Sequence, residues 1–190
     1  MKIGLDLDGV VFDSETTFRT YEEIFDINNL NGNNLIDRQE PKFQSRYNWN
    51  ENEQEEFIKK FFMTVSKESP LMAGFIGVYN LLKEKDDISL IVITARGGFI
   101  EEMKDDAIRL LNDNNIHFDK YYWHQDDKLD ICQKENIDLM IDDDYRIIEK
   151  LSKNHIKCLY FRDTGLKKLN ENEYIKEVNN WGDIYRYIQK

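Results

Sequence analysis

The stretch that decides the fold is Met1-Lys-Ile-Gly-Leu-Asp-Leu-Asp-Gly-Val-Val-Phe-Asp13. Its alternating apolar residues predict a buried β-strand that delivers Asp6 and Asp8 before Gly9 interrupts it. Residues two apart on a strand point to the same side, so the two carboxylates repel each other unless a cation or a shared proton holds them. The alternative is an ordinary strand that runs into an Asp-Gly turn. Paired acids at the end of an apolar strand nevertheless indicate chemistry.

The composition indicates a soluble globular protein with a strongly acidic surface. The 190 residues are 41% hydrophobic and 33% charged, and the net charge is −11. No apolar run approaches the roughly 20 residues that a membrane span needs, and a strand this close to Met1 leaves no room for a signal peptide. So acidic a surface repels a phosphate backbone, which disfavours extended nucleic acid as a partner. A small phosphorylated substrate can still bind where a metal ion and basic residues reverse the field locally.

The two cysteines are expected to be reduced core residues. Cys132 falls in a helical pattern and Cys158 in an apolar strand pattern, and neither has the spacing of a metal site. We therefore expect a cytoplasmic protein. The sequence carries no signal for the oligomeric state.

Strand and helix patterns alternate along most of the chain. The β-branched run Ile88-Ser-Leu-Ile-Val-Ile-Thr94 is typical of a central parallel strand. Further strands are predicted at 120–124, 137–141 and 156–161, and helices at 14–30, 50–67, 74–85, 99–114, 128–135, 145–153 and from Trp181 onward. This alternation predicts an α/β fold with an open, doubly wound parallel sheet.

The connection between the first two strands is too long for a simple crossover. Asp8 and Thr94 are separated by 85 residues, whereas a whole strand–helix–strand unit takes about 30 residues and long unstructured loops are rare. The aromatic-rich segment 14–70 is therefore expected to form a small helical cap. This cap is inserted into an α/β core made of residues 1–13 and 71–190.

Polar residues follow several predicted strands at the carboxyl edge of the sheet, where ligands bind in such folds. The residues expected at this edge are Asp6 and Asp8, Thr94-Ala95-Arg96-Gly97-Gly98, the segment from His124 to Lys128, and Asp142-Asp143-Asp144. Four or more oxygen ligands with open positions suit Mg²⁺, which keeps bound waters and binds substrate phosphate. Asp144 is instead expected to cap the helix that begins at Tyr145.

These motifs give the chain a clear resemblance. It resembles the haloacid dehalogenase superfamily of phosphatases, whose four motifs are matched in order by Asp6-Leu-Asp8-Gly-Val, Thr94, Lys128 and Asp142-Asp143. It is most similar to the 5′(3′)-deoxyribonucleotidase-like branch and its bacterial relatives, which share a helical cap between the first two motifs and an Ile-Asp-Asp ending to the fourth. The resemblance implies a phosphoric monoester hydrolase that acts on nucleoside or deoxynucleoside monophosphates.

The resemblance also implies a role for each motif residue. Asp6 would be the nucleophile that forms an aspartyl-phosphate, and Asp8 would protonate the leaving alkoxide and then deprotonate the hydrolytic water. Thr94 would hydrogen-bond to the phosphoryl oxygens, and Lys128 would neutralise charge beside the nucleophile. The implied Mg²⁺ ligands are Asp6, the main-chain oxygen of Asp8, Asp142 and, partly through water, Asp143. From the residues alone, Thr94 can equally close a strand and Lys128 can be a solvated lysine in the first turn of a helix.

The substrate-binding residues are open to more than one interpretation. Arg96, next to Ala95, departs from nucleotidases of the animal type and either clamps a phosphate bidentately or pairs with a cap carboxylate. Aromatic residues that could stack on a nucleobase are Phe12, Phe18, Phe43, Tyr47 and Trp49. Tyr47 and Trp49 are the better candidates because they lie in a polar stretch, whereas Phe18 is expected to pack the cap helices together.

Two alternatives to a nucleotidase stay open. Thr-Ala-Arg also resembles phosphatases that process nucleic-acid ends, so another small phosphate or a nucleic-acid end is an alternative substrate. The other alternative is a phospho-ligand-binding module that has kept the fold without catalysis. The presence of every catalytic residue type argues against the second alternative.

Overall fold

The computed structural model describes residues 1–162 and 165–190, and these residues are built around one parallel sheet. Its strands are β1 (Lys2–Leu5), β2 (Ser89–Ile93), β3 (Lys120–Tyr122), β4 (Leu139–Asp142), β5 (Lys157–Phe161) and β6 (Ile175–Val178). All neighbours pair in parallel, in the order β3-β2-β1-β4-β5-β6. The helices are α1 (Ser14–Leu30), α2 (Phe43–Arg46), α3 (Glu51–Glu68), α4 (Phe75–Lys83), α5 (Glu102–Asp113), α6 (Leu129–Glu135), α7 (Tyr145–Lys153) and α8 (Trp181–Ile188).

Helices cover both faces of the sheet because successive residues of each buried strand point to opposite sides. Leu90 and Val92 belong to the apolar cluster that also holds the buried side chains of α4, α5 and α8. Ile91 and Ile93 belong to the cluster formed with α6 and α7, which also contains the free, buried Cys132 and Cys158. The predicted doubly wound α/β sheet is confirmed.

Two short elements were not predicted, and both lack a periodic pattern long enough to recognise. β6 has four residues and lies at an edge of the sheet, where only its first and last residues are buried. α2 is a single turn of four residues. Among the described residues, no helix is both long and apolar enough to cross a membrane.

Residues 14–70, called the helical insertion below, contain α1, α2 and α3. Their buried aromatic cluster consists of Phe25, Phe43, Tyr47, Trp49 and Phe57. The two chain segments that join the insertion to the sheet run side by side. Asp13 N–H donates to the Pro70 carbonyl oxygen at 2.8 Å, and Met72 N–H donates to the Val11 carbonyl oxygen at 2.8 Å. These bonds hold the insertion beside the carboxyl end of β1.

Candidate active site

The turn after β1 places Asp6 and Asp8 at the carboxyl edge of the sheet. The strand ends at Leu5, so the two aspartates do not share one face of a strand as the sequence pattern suggested. Three successive main-chain N–H groups donate to the Leu7 carbonyl oxygen, at 3.4, 2.9 and 2.8 Å from Val10, Val11 and Phe12. This tight turn, rather than strand periodicity, brings both carboxylates to the same cavity.

Three carboxylates meet at this edge. Oxygen atoms of Asp6, Asp142 and Asp143 lie within 4.8 Å of one another. Gly9 has a φ of 70°, and a Cβ there would lie 1.9 Å from Asp143 Oδ2, so only glycine allows Asp143 to approach. Burial raises the pKa of Asp142 to about 7, and burial and neighbouring carboxylates raise the pKa of Asp143 well above its usual value. Crowded oxygen donors with uncompensated charge suit a divalent cation, and these hard ligands fit Mg²⁺.

Lys128 is a buried cation between two of these carboxylates. Its Nζ lies 2.9 Å from Asp6 Oδ2 and 2.5 Å from Asp142 Oδ2, and its side chain is 3% exposed. Burial alone would lower the pKa of an ammonium group, but the two carboxylates raise the pKa of Lys128 above its usual value, so it stays charged. The interpretation of Lys128 as a solvated lysine is therefore wrong.

The loop after β2 brings Thr94 and Ala95 to the cavity. Thr94 is 1% exposed, and its Oγ1 accepts a hydrogen bond from Arg96 N–H at 3.2 Å. His124 does not border this cavity; its Nε2 lies 2.8 Å from Glu101 Oε2. Asp144 caps α7 as predicted, since its Oδ1 accepts from the main-chain N–H of Arg146 at 2.9 Å.

Arg96 pairs with a carboxylate of the turn after β1 rather than with one of the helical insertion. Its Nε donates to Asp8 Oδ2 at 3.0 Å and its Nη2 donates to Asp8 Oδ1 at 2.5 Å. Burial acts to raise the pKa of Asp8, but the charge and hydrogen bonds of Arg96 hold that pKa below its usual value. The two residues are 88 positions apart, so local sequence could not indicate the pair.

Three predicted stacking residues have no face open to a nucleobase. Phe12 is 0% exposed and lies beneath Arg96, whose Cζ is 4.8 Å from the ring centre. Tyr47 and Trp49 are 2% and 4% exposed and stack on each other with ring centres 4.4 Å apart. Trp49 Nε1 donates to Asp26 Oδ1 at 2.8 Å, which satisfies the indole inside the helical insertion. The prediction of substrate contact is wrong for these three residues.

A cavity of about 400 Å³ separates the helical insertion from the sheet edge. Its polar side is formed by Asp6, Asp8, Thr94, Ala95, Arg96 and Asp143, and Asp142 and Lys128 lie buried behind them. Its apolar side includes the aromatic wall, which consists of Phe18, Phe43, Phe62 and Phe99. Phe18 and Phe62 pack edge to face, so Phe18 both joins the helices, as expected, and borders the cavity.

Phe99 is a residue that sequence reasoning missed. It is 71% exposed, and its ring centre lies 6.0 Å from that of Phe62 on α3. The available signal was an aromatic residue directly after the Gly97-Gly98 pair, in a loop already assigned to the ligand edge.

Neither a family model nor a curated protein sequence matches the chain. Solved structures do match. A haloacid dehalogenase-like family hydrolase from Streptococcus pneumoniae is 16% identical, with a TM-score of 0.68 over 99% of this chain and 98% of the other. A predicted phosphatase from Clostridium acetobutylicum is 19% identical, with a TM-score of 0.65 over 99% and 97%. A predicted phosphoglycolate phosphatase from Haemophilus somnus is 15% identical, with a TM-score of 0.61 over 98% and 97%. The chain therefore has the fold of the haloacid dehalogenase-like hydrolases.

Proposed function

We propose that this protein is a Mg²⁺-dependent phosphomonoesterase that transfers a phosphoryl group first to Asp6 and then to water. The observation that carries the proposal is that Asp6 and Asp8, a nucleophile and an acid–base group, border one cavity and that the buried cation Lys128 contacts Asp6 from behind. The structural likeness to proteins described as phosphatases supports it.

Each proposed step uses a group that the structure holds in place. Leu7 N–H donates to Asp6 Oδ1 at 2.7 Å, and Lys128 Nζ lies 2.9 Å from Asp6 Oδ2, so the carboxylate is fixed at both oxygens. Asp6 attacks phosphorus, and the bond to the ester oxygen breaks as that oxygen takes a proton through Asp8, whose carboxylate first gains it from the monoanion of the substrate phosphate, because Arg96 holds its pKa low. Asp8 then takes a proton from the water that attacks the aspartyl-phosphate and releases inorganic phosphate.

The proposed Mg²⁺ ligands are Asp6, Asp142, Asp143 and the main-chain oxygen of Asp8. When bound, the ion would offset the charge of the carboxylates and of the phosphoryl oxygens. Lys128 and Thr94 are proposed to contact the phosphoryl group from the protein side. Thr94 lies beside the cavity with its hydroxyl already accepting a hydrogen bond, so its O–H is left to donate.

We propose a nucleoside or deoxynucleoside monophosphate as the substrate, with residues 14–70 acting as a cap over it. The aromatic wall offers planar apolar surface to a nucleobase, in place of Tyr47 and Trp49. The cavity lies in the range of about 300–1,000 Å³ that small ligands occupy. Its acidic members include Glu15, Glu22, Asp126 and Asp144, with Lys42 as an exposed cation. The net charge of −11 disfavours a nucleic-acid end. The proposed location is the cytoplasm, where thiols stay reduced.

The test is release of inorganic phosphate from a panel of nucleoside monophosphates, sugar phosphates and a short 3′-phosphorylated oligonucleotide. Each substrate is assayed with Mg²⁺ and with a chelator. We expect metal-dependent release that is largest for a nucleoside monophosphate and falls by about 10³-fold or more in Asp6→Asn. Asp130→Asn is the matched control, because Asp130 is an exposed aspartate on α6 and its removal should leave activity unchanged.

Two results would contradict the proposal. Activity that survives Asp6→Asn would mean that another group is the nucleophile. A protein that binds Mg²⁺ and phosphate but releases none from any ester would be a phospho-ligand-binding module.

A further inference from the structure

The guanidinium of Arg96 is occupied on every edge by groups of the protein. The edge formed by Nε and Nη2 faces both oxygens of Asp8, at 3.0 and 2.5 Å. The remaining nitrogen, Nη1, donates to Ser66 Oγ and to the Met103 carbonyl oxygen, each at 3.4 Å. One face of the planar group lies against Phe12. The side chain is therefore held by four residues.

The carboxylate of Asp8, not the guanidinium of Arg96, is presented to the cavity. Arg96 is among the residues that border the cavity, yet only 1% of its side chain is exposed, against 31% for Asp8. To clamp a phosphate, Arg96 would have to give up a bidentate pair and leave the Asp8 carboxylate without its cation. A contact made behind the acid fits a role in orienting it.

We propose that Arg96 is a positioning residue that fixes the carboxylate of Asp8 for proton transfer and does not bind the phosphate of the substrate. The inference rests on the proposed function, because it concerns the acid–base group of that reaction. Two parallel N–H···O bonds define both the place and the plane of the carboxylate, which a single bond does not. Ser66 lies on α3, so the same guanidinium also links Asp8 to the helical insertion.

Lysine cannot reproduce this arrangement. Its ammonium group is a point charge without the planar fork of arginine, so Arg96→Lys keeps the charge and loses the orientation. General acid–base catalysis contributes about 10²–10⁴-fold to a rate, and we expect Arg96→Lys to lower kcat by about 10- to 100-fold. The affinity for inorganic phosphate in Mg²⁺ should change less than about threefold, because it does not depend on proton transfer.

The test compares two kinds of ester in the natural protein and in Arg96→Lys. p-Nitrophenolate leaves with little need of a proton, so its rapid first-turnover burst should survive in the variant, while the steady-state rate falls with the second step. A nucleoside monophosphate needs the proton at once, so its burst should be lost. Arg186→Lys, at an exposed position on α8, is the control and should match the natural protein in every assay.

A phosphate clamp would give the opposite pattern. In that case Arg96→Lys would weaken binding of inorganic phosphate tenfold or more, raise KM for both esters and slow both bursts. This result would overturn the inference. Phosphate release by the natural protein would still uphold the proposed function. No turnover by the natural protein would overturn both. If Arg96→Lys does not fold, the side-chain Nε–H signal of Arg96 in the ¹⁵N-labelled natural protein decides. The Nε–H of Arg96 should stay protected from exchange when phosphate and Mg²⁺ are added. A change of its hydrogen-bond acceptor from Asp8 to phosphate would overturn the inference.

Discussion

Two buried cations in this protein each face two carboxylates, one at the sheet edge and one in the helical insertion. The partners are Asp6 and Asp142 for Lys128, at 2.9 and 2.5 Å, and Glu15 and Glu22 for Arg46, at 2.7 and 2.5 Å. Both cations are almost completely buried. Their surroundings, however, differ in charge.

The cluster around Arg46 is compensated by further donors and acceptors. Arg46 Nε donates to the Glu40 carbonyl oxygen at 3.0 Å, and a second cation, Arg19, lies 2.6 Å from Glu15. The cluster around Lys128 instead gains a third carboxylate, Asp143, which forms no ion pair within the described part of the chain. The comparison teaches that a buried ion pair alone does not mark a functional site. The two clusters differ instead in charge balance, because the one around Lys128 keeps an excess of negative charge beside the cavity.

The largest predicted difference between the two clusters is how far Mg²⁺ restores stability after the cation of each is removed. Without metal, Lys128→Met and Arg46→Met should each lower the free energy of unfolding by about 3–5 kcal/mol, because Lys128→Met removes the cation of Asp6 and Asp142 and Arg46→Met removes the cation of the buried Glu22. Saturating Mg²⁺ should restore much of the loss in Lys128→Met, since the ion supplies positive charge to Asp6 and Asp142. Urea unfolding with and without Mg²⁺ measures both. If Mg²⁺ restored the stability of Arg46→Met to the same extent, the two clusters would not differ in their response to the ion.

The compensated cluster still has a titrating member, Glu22. Burial, opposed by Arg46, raises its pKa from 4.5 to about 7. Between these values the folded protein binds more protons than the unfolded chain, so the free energy of unfolding falls as pH rises from 4.5 to 7 and then levels. The difference between the natural protein and Glu22→Gln should fall by up to about 3 kcal/mol across this window. A difference that rises with pH would show that Arg46 outweighs burial.

The uncompensated cluster should respond to metal. Mg²⁺ at 100 times its dissociation constant should raise the free energy of unfolding of the natural protein by about 2.7 kcal/mol. Asp143→Asn should lose most of this gain. The neighbouring Asp144→Asn is the control, because it alters the cap of α7 and should keep the response to Mg²⁺. Loss of the gain in Asp144→Asn alone would place the metal elsewhere. Calorimetry at several Mg²⁺ concentrations measures the effect.

The smallest predicted effect distinguishes Phe99, in the aromatic wall, from Trp49, inside the helical insertion. Phe99→Ala should lower kcat/KM for a nucleoside monophosphate by about 2- to 13-fold, since an aromatic contact contributes about 0.5–1.5 kcal/mol, and leave kcat/KM for a sugar phosphate unchanged. Trp49→Phe removes the bond to Asp26 and should lower stability by about 1 kcal/mol without changing kcat/KM. Selectivity that depends on Trp49 and not on Phe99 would return the stacking role to Trp49.

The sequence predicts the backbone of the site better than its side-chain partners. Parallel strands place their carboxyl ends at one edge, so the positions of Asp6, Thr94 and Asp142 follow from the order of the elements. The partners of Arg96 and Trp49 do not, because Asp8 and Asp26 lie 88 and 23 residues away. A polar stretch of sequence also conceals burial when the fold supplies the hydrogen bonds.

The most direct test of the central claim is to find the phosphoryl group on the protein. The protein is mixed with a nucleoside monophosphate and Mg²⁺, quenched in acid within the time of one proposed turnover, digested and examined by mass spectrometry. The account predicts one added phosphoryl group on the peptide that contains Asp6, absent in Asp6→Asn and in the presence of a chelator. Phosphate release by an enzyme that carries no such label, or a label on another residue, would contradict it.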